Sequence, residues 1–148
     1  MVKQVRRMVF SLVTLTGAGA HAVELPTTPT GLYAVGEQMG QCAAFLTFLS
    51  KGFAKEGNQN AAQQLARQRV NWTLASVVYL GMGQAKDATS AAQSIEDAEA
   101  SKLQARFDGN APTVINDMIA DHRRQCDQWE SSRDAAVSAL KDSFQPAK

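Results

Sequence analysis

The chain has 148 residues, 45% of them hydrophobic and 20% charged, with 15 basic residues against 14 acidic ones. A balance this close to neutral gives no electrostatic handle on nucleic acid or on an acidic membrane surface, and so excludes the strongly basic binding classes. The length suits one domain around a single core.

Residues 1–22 have the layout of a secretory signal peptide. Lys3, Arg6 and Arg7 precede the apolar run "MVFSLVTL", and small residues follow, ending in "AGAHA". The predicted cleavage follows Ala22. The apolar run is far shorter than the roughly 20 residues that cross a bilayer, so no stable membrane insertion is expected after cleavage; a retained N-terminal anchor is the alternative. Taking the three leader cations from the 15 basic residues leaves 12 against 14 acidic ones, a formal charge of −2. The expected location is the periplasm or the outside of the cell. In such an oxidising space two cysteines in a small domain pair by default, which predicts a Cys42–Cys126 disulfide. Free thiols or an intermolecular bridge are the other arrangements.

Residues 23–30, "VELPTTPT", hold two prolines and three threonines and are expected to be extended. The helical domain is placed at residues 31–148. Leu32, Val35, Met39, Cys42, Leu46, Leu49 and Phe53 recur at steps of three and four, which predicts a first helix from Gly31 to about Lys55, capped at Gly57. Within it Gly36 and Gly40 have the spacing that lets another helix approach closely. A second helix is expected from about Asn60 to Leu80, carrying Leu65, Trp72, Val77, Val78 and Tyr79 and ended by Gly81 and Gly83. Asp87 is the expected N-cap of a third. That helix runs to about Phe107 and is rich in alanine, with Ile95, Leu103 and Phe107 as its larger apolar residues, so it is expected to pack closely but weakly and to open first.

Pro112 fits the first position of a fourth helix. Its stripe is Ile115, Met118 or Ile119, His122, Cys126, Trp129, Arg133, Ala136 or Val137, Leu140 and Phe144, read as one uninterrupted element. Four helices on short turns predict an all-α fold, an antiparallel four-helix bundle whose first and last helices are joined by the disulfide. The register agrees: 13 residues lead from Cys42 to Lys55 and 14 from Pro112 to Cys126. Beyond the cysteines the lengths differ, about 11 residues of helix 1 against about 18 of helix 4 at about 1.5 Å each. The end around Leu140 and Phe144 therefore overhangs. Either residues 23–30 cover it or it is an exposed apolar surface, the candidate binding site.

The stretch "ADHRRQCDQWESS" is where chemistry would be sought. A zinc site needs three or four nitrogen or sulfur donors, and beyond the leader the chain holds one histidine and two cysteines. Paired Glu-x-x-His motifs for a di-iron centre and Cys-x-x-Cys-His for haem are missing, so neither metal nor cofactor is predicted. His122 stands one turn from Cys126, the spacing of a base beside a nucleophile, but a disulfide consumes the thiol. Asp117, Asp121, His122, Asp127 and Glu130 could be taken for an acid and base set. The pairs Arg123–Asp127, Asp121–Arg124 and Glu130–Arg133 read more simply as a solvated helix face. Asn71-Trp72-Thr73 is a formal glycosylation sequon inside a helix beside a tryptophan expected to be buried.

The leader, "GQCAAFLTFL", "LASVVYLGMG" and "DHRRQCDQW" together resemble small exported bacterial all-helical proteins with one cysteine near each end. In size and cysteine plan the chain is similar to some periplasmic immunity proteins that act against antibacterial effectors. The resemblance assigns no functional residue. The expected function is a periplasmic, non-enzymatic module that binds another protein, of the inhibitor or immunity type. The alternative is a carrier of an apolar small molecule between the helices, since the alanine-rich third helix fills little of a core.

Overall fold

The computed structural model describes residues 23–145. The leader, its cleavage position and the last three residues of the domain lie outside the described residues. Those described form five helices, α1 (Pro29–Lys55), α2 (Gln59–Met82), α3 (Ala88–Gly109), α4 (Pro112–Asp127) and α5 (Glu130–Ser143), and no strand.

Each end has a local cause. α1 begins at Pro29, two residues before the expected Gly31, so the extended segment is shorter than residues 23–30. Thr28 accepts a hydrogen bond from the Gly31 N–H at 3.1 Å and Pro29 supplies a preset φ, so a proline that reads as extended instead opens the helix. α1 ends at Lys55 and is stopped by Gly57, whose φ of 80° suits a residue without Cβ, and the Asn58 N–H reaches back to the Phe53 carbonyl at 2.9 Å. Asn58 also starts α2, accepting from the Ala61 N–H at 3.1 Å. α2 includes Gly81 and ends at Gly83. There the left-handed position falls on Gln84, at φ 65°, with the Ala85 N–H on the Leu80 carbonyl at 2.9 Å. Asp87 caps α3 as expected, accepting from the Ser90 N–H at 2.9 Å and from its hydroxyl at 2.8 Å.

α1 is the central element, burying Val35, Met39, Cys42, Phe45, Leu49 and Phe53. A Cβ built on Gly36 would lie 2.6 Å from Leu80 Cγ, and one on Gly40 would lie 2.8 Å from Ile95 Cγ2. The two glycines thus receive two different neighbours, α2 and α3. Ser76 donates to the Gly36 carbonyl at 2.7 Å and Ser50 to the Ala62 carbonyl at 2.8 Å, so α1 and α2 run in opposite directions. The core divides into a cluster around Met39, Trp72 and Tyr79, a second around Phe45, Leu103 and Met118, and a small third of Phe53, Ala61 and Ala62.

The fourth helix is not one helix. It breaks at Gln128 and Trp129, where the Trp129 N–H bonds the Cys126 carbonyl three residues back at 2.9 Å, and the chain restarts as α5. No proline or glycine marks the place. The cause is tertiary: Cys126 is bonded to α1, whereas Ser132 and Arg133 a few residues on contact Tyr79 and Trp72 of α2, so the chain turns between them. Five helices replace the expected four.

Candidate functional site

The chemistry-bearing stretch straddles α4 and the break. Cys42 and Cys126 are joined, with Cα atoms 5.7 Å apart across 84 residues of sequence. Cys42 is buried among Val35, Met39 and Trp72, while Cys126 is half-buried. No cysteine among the described residues is free, so neither sulfur is a nucleophile in this state.

His122, one turn earlier on α4, is half-buried and fixed on three sides. Its ring stacks on Phe45 at 5.4 Å between centroids and 29° between planes. Nδ1 lies 2.9 Å from the Met118 carbonyl, and Nε2 lies 3.4 Å from Glu99 Oε1 on α3. Lys102 approaches Glu99 at 3.5 Å. Cys126 Sγ is held in its bond to Cys42, and the histidine is a joint between α1, α3 and α4.

The other acidic residues of this stretch face solvent. Asp121 pairs with Arg124, Asp127 with Arg123 at 3.8 Å, and Glu130 with Arg133 at 3.6 Å, the three pairs expected from spacing. Asp117 is exposed. The set does not converge on a common point, and among the described residues no three or more His, Cys, Asp or Glu side chains are grouped to hold a metal ion.

A second polar site was not visible in the sequence. Glu96, on the alanine-rich α3, is only 3% exposed. Its Oε2 accepts from Arg69 Nη2 at 2.8 Å and Nε at 3.2 Å, and its Oε1 accepts from the Thr73 hydroxyl at 2.6 Å. Arg69 and Thr73 are one turn apart on α2, so a single face of α2 meets one carboxylate of α3. The only signal in the sequence is that Glu96 directly follows the apolar Ile95, and the neighbouring Asp97 and Glu99 hide it. A buried carboxylate accepting three hydrogen bonds from an arginine and a threonine joins α2 to α3.

Trp72 is buried and carries the Arg133 guanidinium 4.7 Å above its ring centroid. Tyr79 donates its hydroxyl hydrogen to the Ser132 carbonyl at 2.9 Å, and burial raises its pKa above the usual tyrosine value. The sequon residue Thr73 is engaged by Glu96. Every buried side-chain nitrogen and oxygen among the described residues has a partner.

The expected binding surface is placed at the end of α5. Leu140 is half-buried and Phe144 is 79% exposed, so residues 23–28 do not cover that ring. Pro26 instead packs against Gly31 at the start of its own helix. Two depressions open to solvent lie elsewhere. One, about 450 Å³, lies between the start of α1 and the α2–α3 turn, against Tyr33, Glu37 and Gln84. The other, about 480 Å³, lies between α1 and α3, against Phe48, Lys51, Ala100 and Asp108.

No family model, characterised protein or solved structure matches the chain. No described helix is long and apolar enough to cross a membrane.

Proposed function

We propose that the chain is a non-enzymatic protein-binding module of the periplasm, of the inhibitor or immunity type. In this reading the architecture is an antiparallel bundle in which α4 and α5 together make the fourth arm, with the disulfide fixing α4 on α1. The observation that carries the proposal is Phe144, a large apolar side chain 79% exposed one turn beyond half-buried Leu140, on a frame that is covalently closed. A rigid frame lowers the ordering cost of binding, and an exposed aromatic is the kind of group that anchors a protein interface. The partner is another protein of the same compartment, with no cofactor between them.

The test is capture from periplasmic extract with the mature chain and with Phe144→Asp as paired baits. A protein recovered repeatedly by the first and lost with the second supports the reading. Repeated recovery of nothing overturns it.

The carrier reading has one observation of its own, the depression between α1 and α3, where Ala100, Ser101 and Ala105 leave space beside Phe48. Native mass spectrometry of freshly purified protein tests it: a retained apolar mass supports a carrier, and its absence together with no uptake of an apolar dye removes it.

A further inference from the structure

The helices are unequally anchored, and α4 differs from its neighbours. α5 is held on α2 by the Tyr79–Ser132 hydrogen bond, by Arg133 over Trp72, and by Ala136 and Val137, each 5% exposed. α4 buries two apolar side chains, Ile115 and Met118. Around them are the stacked His122, its 3.4 Å approach to Glu99, and an amide contact from Gln125 to Gln38. At its start Ala111 offers no side chain to the unpaired N–H groups of the first turn. Its strongest tie is covalent and lies two residues before the break at Gln128 and Trp129. At the other end Asn110 and Ala111 lie outside any helix, with the Asn110 side-chain amide donating to the Arg106 carbonyl at 2.7 Å and Ala111 making no side-chain hydrogen bond.

We propose that the Cys42–Cys126 bridge is the clasp of a redox-gated flap: two-electron reduction releases α4 as a unit, pivoting at Gln128–Trp129 and Asn110–Ala111, while α1, α2, α3 and α5 keep their packing. The reductant is a dithiol. One of its thiolates attacks Cys126 Sγ, the less buried of the two sulfurs, forming a mixed disulfide and expelling the Cys42 thiolate, which takes a proton. Its second thiol then attacks its own sulfur in the mixed disulfide and expels the Cys126 thiolate, which is protonated in turn. The dithiol leaves as a cyclic disulfide, having supplied two electrons and two protons. Release of α4 uncovers Phe45, Leu49 and Leu103, the apolar residues that Ile115 and Met118 cover. Cys42 also becomes reachable, although it is 2% exposed while α4 is docked.

Hydrogen exchange followed by mass spectrometry, before and after dithiothreitol treatment, tests this. The expected result is that after reduction the amides of residues 112–127 exchange at least roughly 100-fold faster than those of residues 59–82 and 130–143, whose protection falls only as far as the stability of the whole fold does. Cys126→Ser should give the same pattern without reductant, and its Cys42 should take up an alkylating agent at the rate at which α4 opens. Protection of residues 112–127 that stays equal to that of residues 59–82 and 130–143 after reduction overturns the proposal, because α4 then opens only when the whole fold does. Unchanged protection of α4 overturns it too, because apolar packing alone then suffices.

Discussion

A buried ion pair is judged by which partner would be stranded if the other were removed. Glu96 has almost no access to water, whereas the Arg69 side chain is 37% exposed. Arg69→Ala leaves a buried carboxylate with only the Thr73 hydroxyl, and is expected to cost about 3 kcal/mol. Glu96→Ala leaves a guanidinium that turns out to solvent, and should cost nearer 1–2 kcal/mol. Urea denaturation of the two variants checks the order; equal costs would mean that Glu96 is not desolvated. Tyr79 gives a pH-dependent counterpart. Burial raises its pKa, so the folded state favours the neutral phenol. Its contribution is complete below the unfolded tyrosine value of about 10 and is lost as pH rises past it. Tyr79→Phe should be less stable than the parent by about 1 kcal/mol at pH 8, from the lost hydrogen bond, and the gap should be smaller at pH 11. Denaturation midpoints of both proteins at the two pH values measure this. Neither residue's partner was legible in the sequence, because Glu96 lies 27 residues from Arg69 and Ser132 lies 53 from Tyr79, beyond any local rule.

What sets an element's limits decides whether the chain's letters show it. Gly57, Asp87 and Pro112 act within three or four residues, and all three mark helix ends as spacing implied. The break between α4 and α5 has no such residue. It follows from docking on α1 at Cys126 and on α2 at Ser132, so periodicity alone runs the stripe from Ile115 to Phe144 without a pause. The α2–α3 turn shows a conflict between two local demands. A Cβ on Gly83 would meet the Tyr33 backbone at 2.6 Å, so the glycine is needed there, and the left-handed position falls one residue on, at Gln84. Gln84→Gly should therefore stabilise the protein by about 0.5–1 kcal/mol. Two glycines of α1 make the complementary comparison. Gly36→Ala would set a methyl 2.8 Å from the Leu80 backbone nitrogen, which does not yield, and should cost about 1–3 kcal/mol. Gly52→Ala meets nothing within 4 Å on an exposed turn and should add about 0.5–1 kcal/mol. Thermal melts of these variants separate close approach from helix propensity.

At the scale of the whole molecule the bridge closes a loop of 84 residues that contains all of α2 and α3. A loop of that length restricts the unfolded chain by roughly 4.5 kcal/mol on the chain-entropy account, a large share of the roughly 5–15 kcal/mol typical of a domain. The pairing of the cysteines was legible because it needs only their number and an oxidising space. The direction in which the bridge pulls was not, since that depends on the break. Reduction should lower the melting temperature by roughly 15 °C for a domain of this size. Calorimetry with and without a reductant at neutral pH measures the shift, and Cys42→Ser with Cys126→Ser should reproduce it. Helix content separates the two ways the bridge can act. If the bridge acts on the unfolded chain, the double variant should refold with its native helix content and melt lower; if it instead holds folded packing together, helix content should fall well below the melt. An unchanged melting temperature would mean that α4 is held by Ile115, Met118 and His122 alone, and that the unfolded chain gains nothing from losing the crosslink.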